Sequence, residues 1–266
     1  MVGHRLAVHY TRLPAGASTA GFFRLPMDLS VVIPVHNEAD NIQPLVDEIT
    51  AALEGRFDYE IVYVDDGSTD ATLERLRAAR AGCPRLRILR HARGCGQSTA
   101  IRTGVKAARA PLVATLDGDG QNDPADIPAL VERLRAAPPE ERLWLVAGWR
   151  QRRRDTWMRR VSSKVANGVR SRLLADATPD TGCGLKVFPR AVFLDLPYFD
   201  HMHRFLPALV QRAGGRVVSV PVHHRPRERG VSKYGVGNRL WVGIVDLFGV
   251  RWLQRRACLP EVGEVE

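Results

Sequence analysis

Two aspartates, Asp117 and Asp119, stand two positions apart directly after an apolar run over residues 112–116. If this run is a strand, both side chains point to the same side of the chain and can share one cation. A hard divalent ion prefers such oxygen ligands and often adds phosphate oxygens from a substrate. Gln121 continues the alternation as a third candidate ligand. The spacing predicts a Mg²⁺ or Mn²⁺ site, and a simple turn rich in Asp and Gly is the alternative.

A second acidic cluster follows the apolar run over residues 59–64 and contains Asp65, Asp66 and Ser68. Carboxylates accept hydrogen bonds from N–H and O–H groups, such as those of the base and ribose of a nucleotide. The cluster therefore indicates a nucleoside site, and an ordinary Asp-Gly-Ser turn is the alternative. Asp70 is expected to cap the helix that follows.

The elements that must position these clusters alternate between strands and helices. Runs of mostly apolar residues predict strands at residues 29–35, 59–64, 86–89, 112–116 and 143–147. Helical periodicity predicts helices at residues 39–53, 71–80, 97–108 and 125–136. This alternation indicates an α/β fold with a mostly parallel sheet covered on both faces. Ligands of such sheets bind outside the carboxyl ends of the strands, where both acidic clusters and the polar segment 34–38 fall.

The middle of the chain is strongly basic. Between positions 142 and 172 it has ten Lys or Arg residues and one acid, Asp155, and the whole chain has a formal charge of +10. Such charge indicates an anionic partner: a phosphorylated substrate, an anionic membrane surface or a nucleic acid. A solvated arginine-rich helix face is the alternative interpretation of the basic segment.

Taken together, the order and spacing of these motifs resemble the inverting family 2 glycosyltransferases of GT-A fold. The resemblance covers residues 29–190 and rests on segments 31–38, 65–70 and 117–121 together with Gly104. His36 departs from that family, which usually has Tyr at this position. The resemblance implies a GT-A catalytic domain that uses a nucleotide-diphosphate sugar with Mg²⁺ or Mn²⁺.

Motifs in the second half are similar to those of the polyprenyl-phosphate glycosyltransferases, the group that contains the dolichol-phosphate mannosyltransferases. These motifs are residues 148–150, Arg160 with Ser163, residues 180–186 and residues 229–234. The resemblance implies transfer of a sugar from a UDP- or GDP-sugar to undecaprenyl or dolichyl phosphate, with inversion. The basic segment suits this acceptor because guanidinium groups bind phosphate with fork geometry.

The resemblance also implies a role for each matching residue. Glu38 and Asp66 would hold the nucleoside, and Lys233 would lie near the donor diphosphate. The full set implied for the nucleotide sugar is Pro34, Val35, Asn37, Glu38, Asp66, Ser68, Asp117, Gly118 and Asp119. Those implied for the acceptor phosphate are Arg150, Arg160 and Ser163, and those for the metal are Asp117, Asp119 and Gln121. The residues implied in catalysis are Asp119, Arg160, Asp180 and Lys233.

The acceptor decides the role of Asp180. A phosphate monoester has a second pKa of about 6, so it can attack the anomeric carbon without a general base. A sugar or glycolipid hydroxyl, the alternative acceptor, needs a base, and Asp180 is the leading candidate. With a phosphate acceptor, Asp180 instead organises its loop or orients donor and acceptor. A nucleic-acid-binding module would suit the charge but leaves the acidic clusters unexplained, so no nucleic-acid partner is expected.

The expected organisation has three parts: a flexible basic extension over residues 1–27, the catalytic domain over 28–222, and a basic acceptor loop with a membrane-proximal helix over 223–266. The apolar stretch 240–253 contains Asp246 and Arg251 and is shorter than the ~20 residues that span a bilayer. It predicts an amphipathic helix at a membrane surface, with packing on the catalytic domain as the alternative. We expect a cytoplasmic, peripheral enzyme on the cytoplasmic face of the membrane, with a separate integral membrane protein as a candidate partner.

The remaining histidines and cysteines give weaker signals. Histidines at 201, 203, 223 and 224 are expected to be structural or solvated rather than metal ligands. The four cysteines are widely separated, which argues against zinc ribbons and disulfide frameworks and favours a reducing compartment.

Overall fold

The computed structural model describes residues 27–150, 168, 170–176, 178–226 and 237–260. Within these residues the centre is a seven-stranded sheet in the order β3-β2-β1-β4-β6-β5-β7. The strands are β1 (Leu29–Val35), β2 (Tyr59–Asp65), β3 (Leu86–Arg90), β4 (Leu112–Thr115), β5 (Leu143–Arg150), β6 (Lys186–Pro189) and β7 (Arg216–Val222).

Helices cover both faces of this sheet. They are α1 (Ile42–Leu53), α2 (Thr72–Gly82), α3 (Gln97–Ala107), α4 (Ile127–Arg135), α5 (Arg190–Asp195), α6 (Leu206–Arg212) and α7 (Gly237–Arg255). Short 3-10 turns occur at Ala39–Asn41, Pro124–Asp126, Pro139–Glu141 and Met202–Arg204. Residues 170–174 are also helical.

The sheet is mostly parallel, which confirms the predicted α/β class. β1 pairs in parallel with β2 and β4, β2 with β3, and β5 with β7. β6 runs antiparallel between β4 and β5 and was not predicted as a strand. It has only four residues and starts with Lys186, so it lacks the long apolar run by which the other inner strands are recognised.

Alternate residues of the inner strands feed two apolar layers. On β1, Val31 and Ile33 pack with α1 and α4 on one face, whereas Val32 packs with α3 on the other. All seven residues of β1 and of β2 are buried. This burial on both faces is the physical reason that these strands appear as mostly apolar runs.

The C-terminal helix α7 packs on the second layer by one side. Val250 is fully buried there, with Leu247 and Leu253 against the same layer. The opposite side is apolar and exposed: Val245, Phe248 and Trp252 have 54%, 62% and 58% of their surface accessible. The alternative interpretation, packing on the catalytic domain, holds for one side of the helix. Contact of the other side with a membrane surface stays a prediction. Among the helices described, we find none with the length and apolar character needed to cross a membrane.

Gly104 is required where α3 crosses β1 and β2. A Cβ atom at this position would lie 2.4 Å from Cγ1 of Val32 and 3.2 Å from Cγ2 of Val64. We expect Gly104→Ala to lower the free energy of unfolding by about 1–3 kcal/mol, because overpacking forces stiff, buried neighbours to move. Gly82→Ala is the matched control, since open space surrounds a Cβ at the end of α2. Urea unfolding measures both variants, and equal stabilities would contradict the close packing at Gly104.

Candidate active site

The carboxyl ends of β1, β2 and β4 meet at one edge of the sheet and open into a cavity of about 730 Å³. In the strand register, Val35 lies opposite Asp65, and Val32 lies opposite Thr115. Because parallel neighbours end at the same edge, the loops that follow them converge. The predicted nucleotide-sugar residues that line this cavity are Pro34, Val35, Glu38, Asp66, Asp117, Gly118 and Asp119. Both acidic clusters and the polar segment 34–38 therefore face one common cavity.

The Asp117 carboxylate is held between α3 and the loop before β6. Its Oδ1 accepts a hydrogen bond from Nε2 of Gln97 at 2.8 Å. A Cβ atom on Gly184 would lie 2.2 to 2.5 Å from this carboxyl group, so only glycine fits beside it. Burial, and then the negative charge of Asp119, raise the pKa of Asp117 to about 6. A buried carboxylate beside a second carboxylate fits a divalent cation, which would relieve the repulsion at Asp117.

The loop after Asp119 is tied to the segment beyond β7. Oδ1 of Asp119 accepts the backbone N–H of Gln121 at 3.1 Å, and the Gln121 carbonyl accepts the N–H of Arg225 at 3.0 Å. Asn122 forms an antiparallel bridge with His224. Gln121 is not among the residues that line the cavity. Its predicted role as a metal ligand stays a prediction.

Asp65 and Asp66 are neighbours with different surroundings. Asp65 is completely buried, and its carboxylate accepts the N–H of Ser68 at 2.9 Å, so it shapes the turn. Asp66 lines the cavity, and its carboxylate accepts the backbone N–H groups of Cys95 and Gly96, both at 2.8 Å. Asp66 therefore also fixes the loop that leads into α3.

Asn37 and Ser68, two predicted nucleotide-sugar residues, do not line the cavity. The N–H of Asn37 donates to Oγ of Ser68 at 2.8 Å, and Oδ1 of Asn37 accepts the N–H of Thr69 at 2.7 Å. Asn37 has a left-handed backbone with φ of 54°, which Asn adopts more readily than most residues. In the structure these two side chains join the loops after β1 and β2.

Asp180 forms a bidentate ion pair with Arg150. Nε and Nη2 of Arg150 donate to the two carboxylate oxygens at 2.6 and 2.8 Å. Only 10% of the Arg150 side chain and 7% of the Asp180 side chain are exposed. This geometry matches the role in which Asp180 organises its loop. Binding of an acceptor phosphate by Arg150 stays a prediction, because this guanidinium is already engaged by a carboxylate.

Several predictions concern residues beyond those that the structure describes. Arg160, Ser163 and Lys233 are in this group, as are positions 1–26 of the predicted N-terminal extension. Their roles in acceptor binding, donor binding and organisation stay predictions.

Lys186 and His203 are among the cavity-lining residues that were missing from the predicted site. Lys186 is 3% exposed, and its ammonium group donates to the carbonyls of Thr181 and Cys183; burial lowers its pKa. His203, expected to be structural or solvated, is partly buried in the cavity wall and bonded to Ser98. The available signal for Lys186 was its place at the end of segment 180–186, one of the motifs that carry the family resemblance. Since Ser98 and His203 are 105 positions apart, no local spacing indicates His203.

The fold and cavity define an α/β protein suited to a nucleotide and a divalent ion at the carboxyl ends of its strands. Residues 30–196 match the model of glycosyl transferase family 2, and the chain belongs to that family. A glucosyl-3-phosphoglycerate synthase from Mycobacterium tuberculosis, solved with Mg²⁺ and uridine diphosphate, is similar in fold with a TM-score of 0.65. It is 21% identical, and the match covers 84% of this chain and 80% of that one. The predicted GT-A fold is confirmed.

Curated relatives are more similar in sequence. The dodecaprenyl-phosphate galacturonate synthase of Rhizobium johnstonii is 38% identical over 240 residues, which cover 88% of this chain and 69% of the relative. The undecaprenyl-phosphate 4-deoxy-4-formamido-L-arabinose transferase of Edwardsiella ictaluri is 37% identical over 217 residues, or 80% of this chain and 65% of the relative. The matches thus leave about a third of each relative's length uncovered.

Asp117 should make the stability of the metal-free protein depend on pH. Its pKa of about 6 in the folded protein lies above the ordinary value of 3.8, so between these values the folded state binds more protons. The group's contribution to stability is therefore complete below pH 3.8 and is lost as the pH rises through 6. In EDTA near pH 7.5, Asp117→Asn should be more stable than wild type by about 1 kcal/mol, and the difference should vanish near pH 4.

Urea unfolding at a series of pH values measures this effect. Asp195→Asn is the control, because Asp195 is an exposed carboxylate at the end of α5 and should give no such difference. An Asp117→Asn variant no more stable than wild type near pH 7.5 would show that the Asp117 charge carries no penalty in the cavity.

Proposed function

We propose that the protein transfers a sugar from a nucleotide-diphosphate donor to a polyprenyl phosphate, with inversion at the anomeric carbon. Relatives at 38% and 37% identity are named as polyprenyl-phosphate sugar transferases, which supports this acceptor class. The observation that carries the choice is the bidentate pairing of Asp180 with Arg150. A hydroxyl acceptor needs a base, and both oxygens of the leading candidate are occupied by a guanidinium. A phosphate acceptor is already ionised and needs none.

The donor is proposed to lie along the strand edge from β2 towards β4. Glu38 and Asp66, after β1 and β2, would meet the nucleoside, and Asp117 and Asp119, after β4, would hold Mg²⁺ or Mn²⁺. In the sheet, β1 lies between β2 and β4. A donor placed in this way would therefore run along the edge formed by the carboxyl ends of these three strands. When bound, the ion would neutralise the charge that develops on the leaving diphosphate.

In the proposed reaction, an oxygen of the acceptor phosphate attacks the anomeric carbon from the face opposite the donor diphosphate. The bond between the anomeric carbon and the diphosphate oxygen breaks, and its electron pair leaves with the nucleoside diphosphate. Arg160 and Ser163 would bind the acceptor phosphate, and Lys233 would lie near the donor diphosphate. Arg150 and Asp180 would keep the loop beside Asp117 in place.

The exposed side of α7 is proposed to rest on the cytoplasmic face of the membrane. Phe248 and Trp252 are more than half exposed on this side, and Arg255 and Arg256 follow at the helix end. Near anionic headgroups, each arginine adds about 1 kcal/mol to binding, and the aromatic rings add buried apolar area. This placement brings the enzyme to the surface where a lipid-linked phosphate lies.

Transfer of radioactive sugar into organic-extractable product tests the reaction. The donors are a panel of labelled UDP- and GDP-sugars, and the acceptor is undecaprenyl phosphate with Mg²⁺ or Mn²⁺. We expect labelled lipid that depends on both the acceptor and the metal. Asp119→Ala should lower the rate at least about 100-fold, because it removes a ligand of the ion that stabilises the leaving group.

Asp180→Asn separates the two acceptor classes in the same assay. It should abolish a hydroxyl-acceptor reaction, which would lose its base, and leave part of a phosphate-acceptor reaction. Metal-dependent donor binding without any labelled lipid would refute the polyprenyl-phosphate acceptor and direct the search to hydroxyl acceptors.

Sedimentation with anionic phospholipid vesicles tests the membrane surface. Replacing Phe248 and Trp252 together by Ser should weaken binding at least about tenfold, since two large apolar side chains no longer enter the interface. Leu194→Ser is the control, because Leu194 is exposed on α5 rather than on α7. Unchanged binding of the double variant would contradict the proposed orientation.

A further inference from the structure

Ser98 and His203 form a hydrogen-bonded pair at the cavity wall. Ser98 lies in the first turn of α3 and is 1% exposed, and His203 lies in the turn Met202–Arg204. Oγ of Ser98 is 2.7 Å from Nδ1 of His203 and accepts the backbone N–H of His203 at 3.3 Å. Two contacts thus attach the histidine to the helix.

These contacts select one tautomer of the imidazole ring. The Ser98 oxygen already accepts the His203 backbone N–H, and its own proton needs an acceptor. Among the residues described, Nδ1 of His203 is the acceptor bonded to this hydroxyl. The hydroxyl therefore donates to Nδ1, and the neutral ring carries its proton on Nε2.

The surroundings keep this ring neutral. The pKa of His203 is lowered to about 3, and burial is the largest cause. The charges of Lys186 on β6, and of Arg204 and His201 beside His203, lower the pKa further. Asp246 on α7 approaches this turn and lies 3.2 Å from Nδ1 of His201. His203 is therefore a neutral hydrogen-bond donor rather than a cation in the neutral pH range.

Under the proposed function, His203 lines the cavity that would hold the nucleotide sugar. Ser98 holds Nδ1 and does not line the cavity, whereas His203 does. The preceding residue on α3, Gln97, binds Asp117, the proposed metal ligand beside the diphosphate. Lys186 also lines the cavity and is close enough to influence both Asp117 and His203.

We propose that His203 binds the donor sugar by donating a hydrogen bond from Nε2 to one of its hydroxyl oxygens, and that Ser98 is the positioning residue that fixes the ring for this contact. The inference rests on the proposed function for the presence of a nucleotide sugar. The inference adds two residues to the site: His203, which would bind the sugar, and Ser98, which would position the His203 ring. The substrate chemistry required is a hydroxyl group that accepts a hydrogen bond.

Two substitutions of His203 separate sugar binding from loop anchoring. His203→Asn keeps an amide oxygen near the position of Nδ1, where it can accept from Ser98, but removes the donor at Nε2. His203→Gln places an amide donor near the position of Nε2. Affinities for UDP and GDP, and for their sugars in the donor panel, are measured by calorimetry with Mn²⁺.

For His203→Asn, we expect nucleotide-sugar affinity to fall about tenfold, and the donor KM to rise similarly, with the affinity for the bare nucleotide unchanged. His203→Gln should stay within about threefold of wild type. The proposal is overturned if the bare nucleotide is weakened as much as the sugar nucleotide, or if Asn and Gln are equally harmful. It is also overturned if wild type binds every nucleotide sugar no differently from the bare nucleotide.

Nitrogen NMR of the histidine rings tests the role of Ser98 directly. In wild type, the His203 ring should stay neutral, with its proton on Nε2, from about pH 8 down to about pH 5. Ser98→Ala should allow both tautomers and raise the donor KM. A proton on Nδ1 in the neutral wild-type ring would refute the assigned tautomer, and protonation near the ordinary value of about 6.5 would refute the neutral state of the ring down to pH 5.

The outcomes distinguish this inference from the proposed function. If no lipid is labelled but nucleotide-sugar affinity depends on His203 as expected, the acceptor is wrong and the sugar contact stands. If lipid is labelled and His203→Asn has no effect on the donor KM, the proposed function stands and the sugar contact is wrong.

Discussion

The ion pair between Arg150 and Asp180 holds the loop on which the Asp117 carboxylate depends. Gly184 of that loop lies so close to Asp117 that a side chain would displace the carboxyl group. Lys186 ties the same loop down by donating to two of its carbonyl oxygens. A buried ion pair gains little net stability because desolvation offsets attraction. Its role here is to fix geometry, and the two cations also balance part of the negative charge in the cavity.

Much of the fold follows from the pattern of apolar residues. β1 and β2 are buried on both faces, so their sequences are mostly apolar and easy to recognise. β6 is different, because four residues that begin with a buried lysine give no comparable signal. Its antiparallel place between β4 and β5 depends on pairing with strands distant in sequence, and single-sequence patterns do not encode such pairing.

The positions of site residues were predictable where the topology of the sheet brings them together. They were not predictable where contacts between individual side chains determine what a residue does. Asp66, Asp117 and Asp119 follow parallel strands, so their convergence could be inferred from the alternation of strands and helices. Asn37 contacts the loop after β2 in the structure, and its predicted role in binding the nucleotide sugar stays a prediction, because a polar side chain can serve either purpose. His203 gave no signal, since its partner lies on a helix far away in sequence.

Under the proposed function, helix α7 links two requirements of a lipid-linked acceptor. The phosphate of such a lipid lies at the membrane surface and its tail lies within the bilayer, so the cavity must be near that surface. Val242 lines the cavity, and Trp252, ten residues further along the same helix, is exposed. At 1.5 Å per residue this is about 15 Å, roughly half the thickness of a bilayer's hydrocarbon core. A helix resting on the surface by its aromatic side would therefore keep the cavity close to the acceptor phosphate.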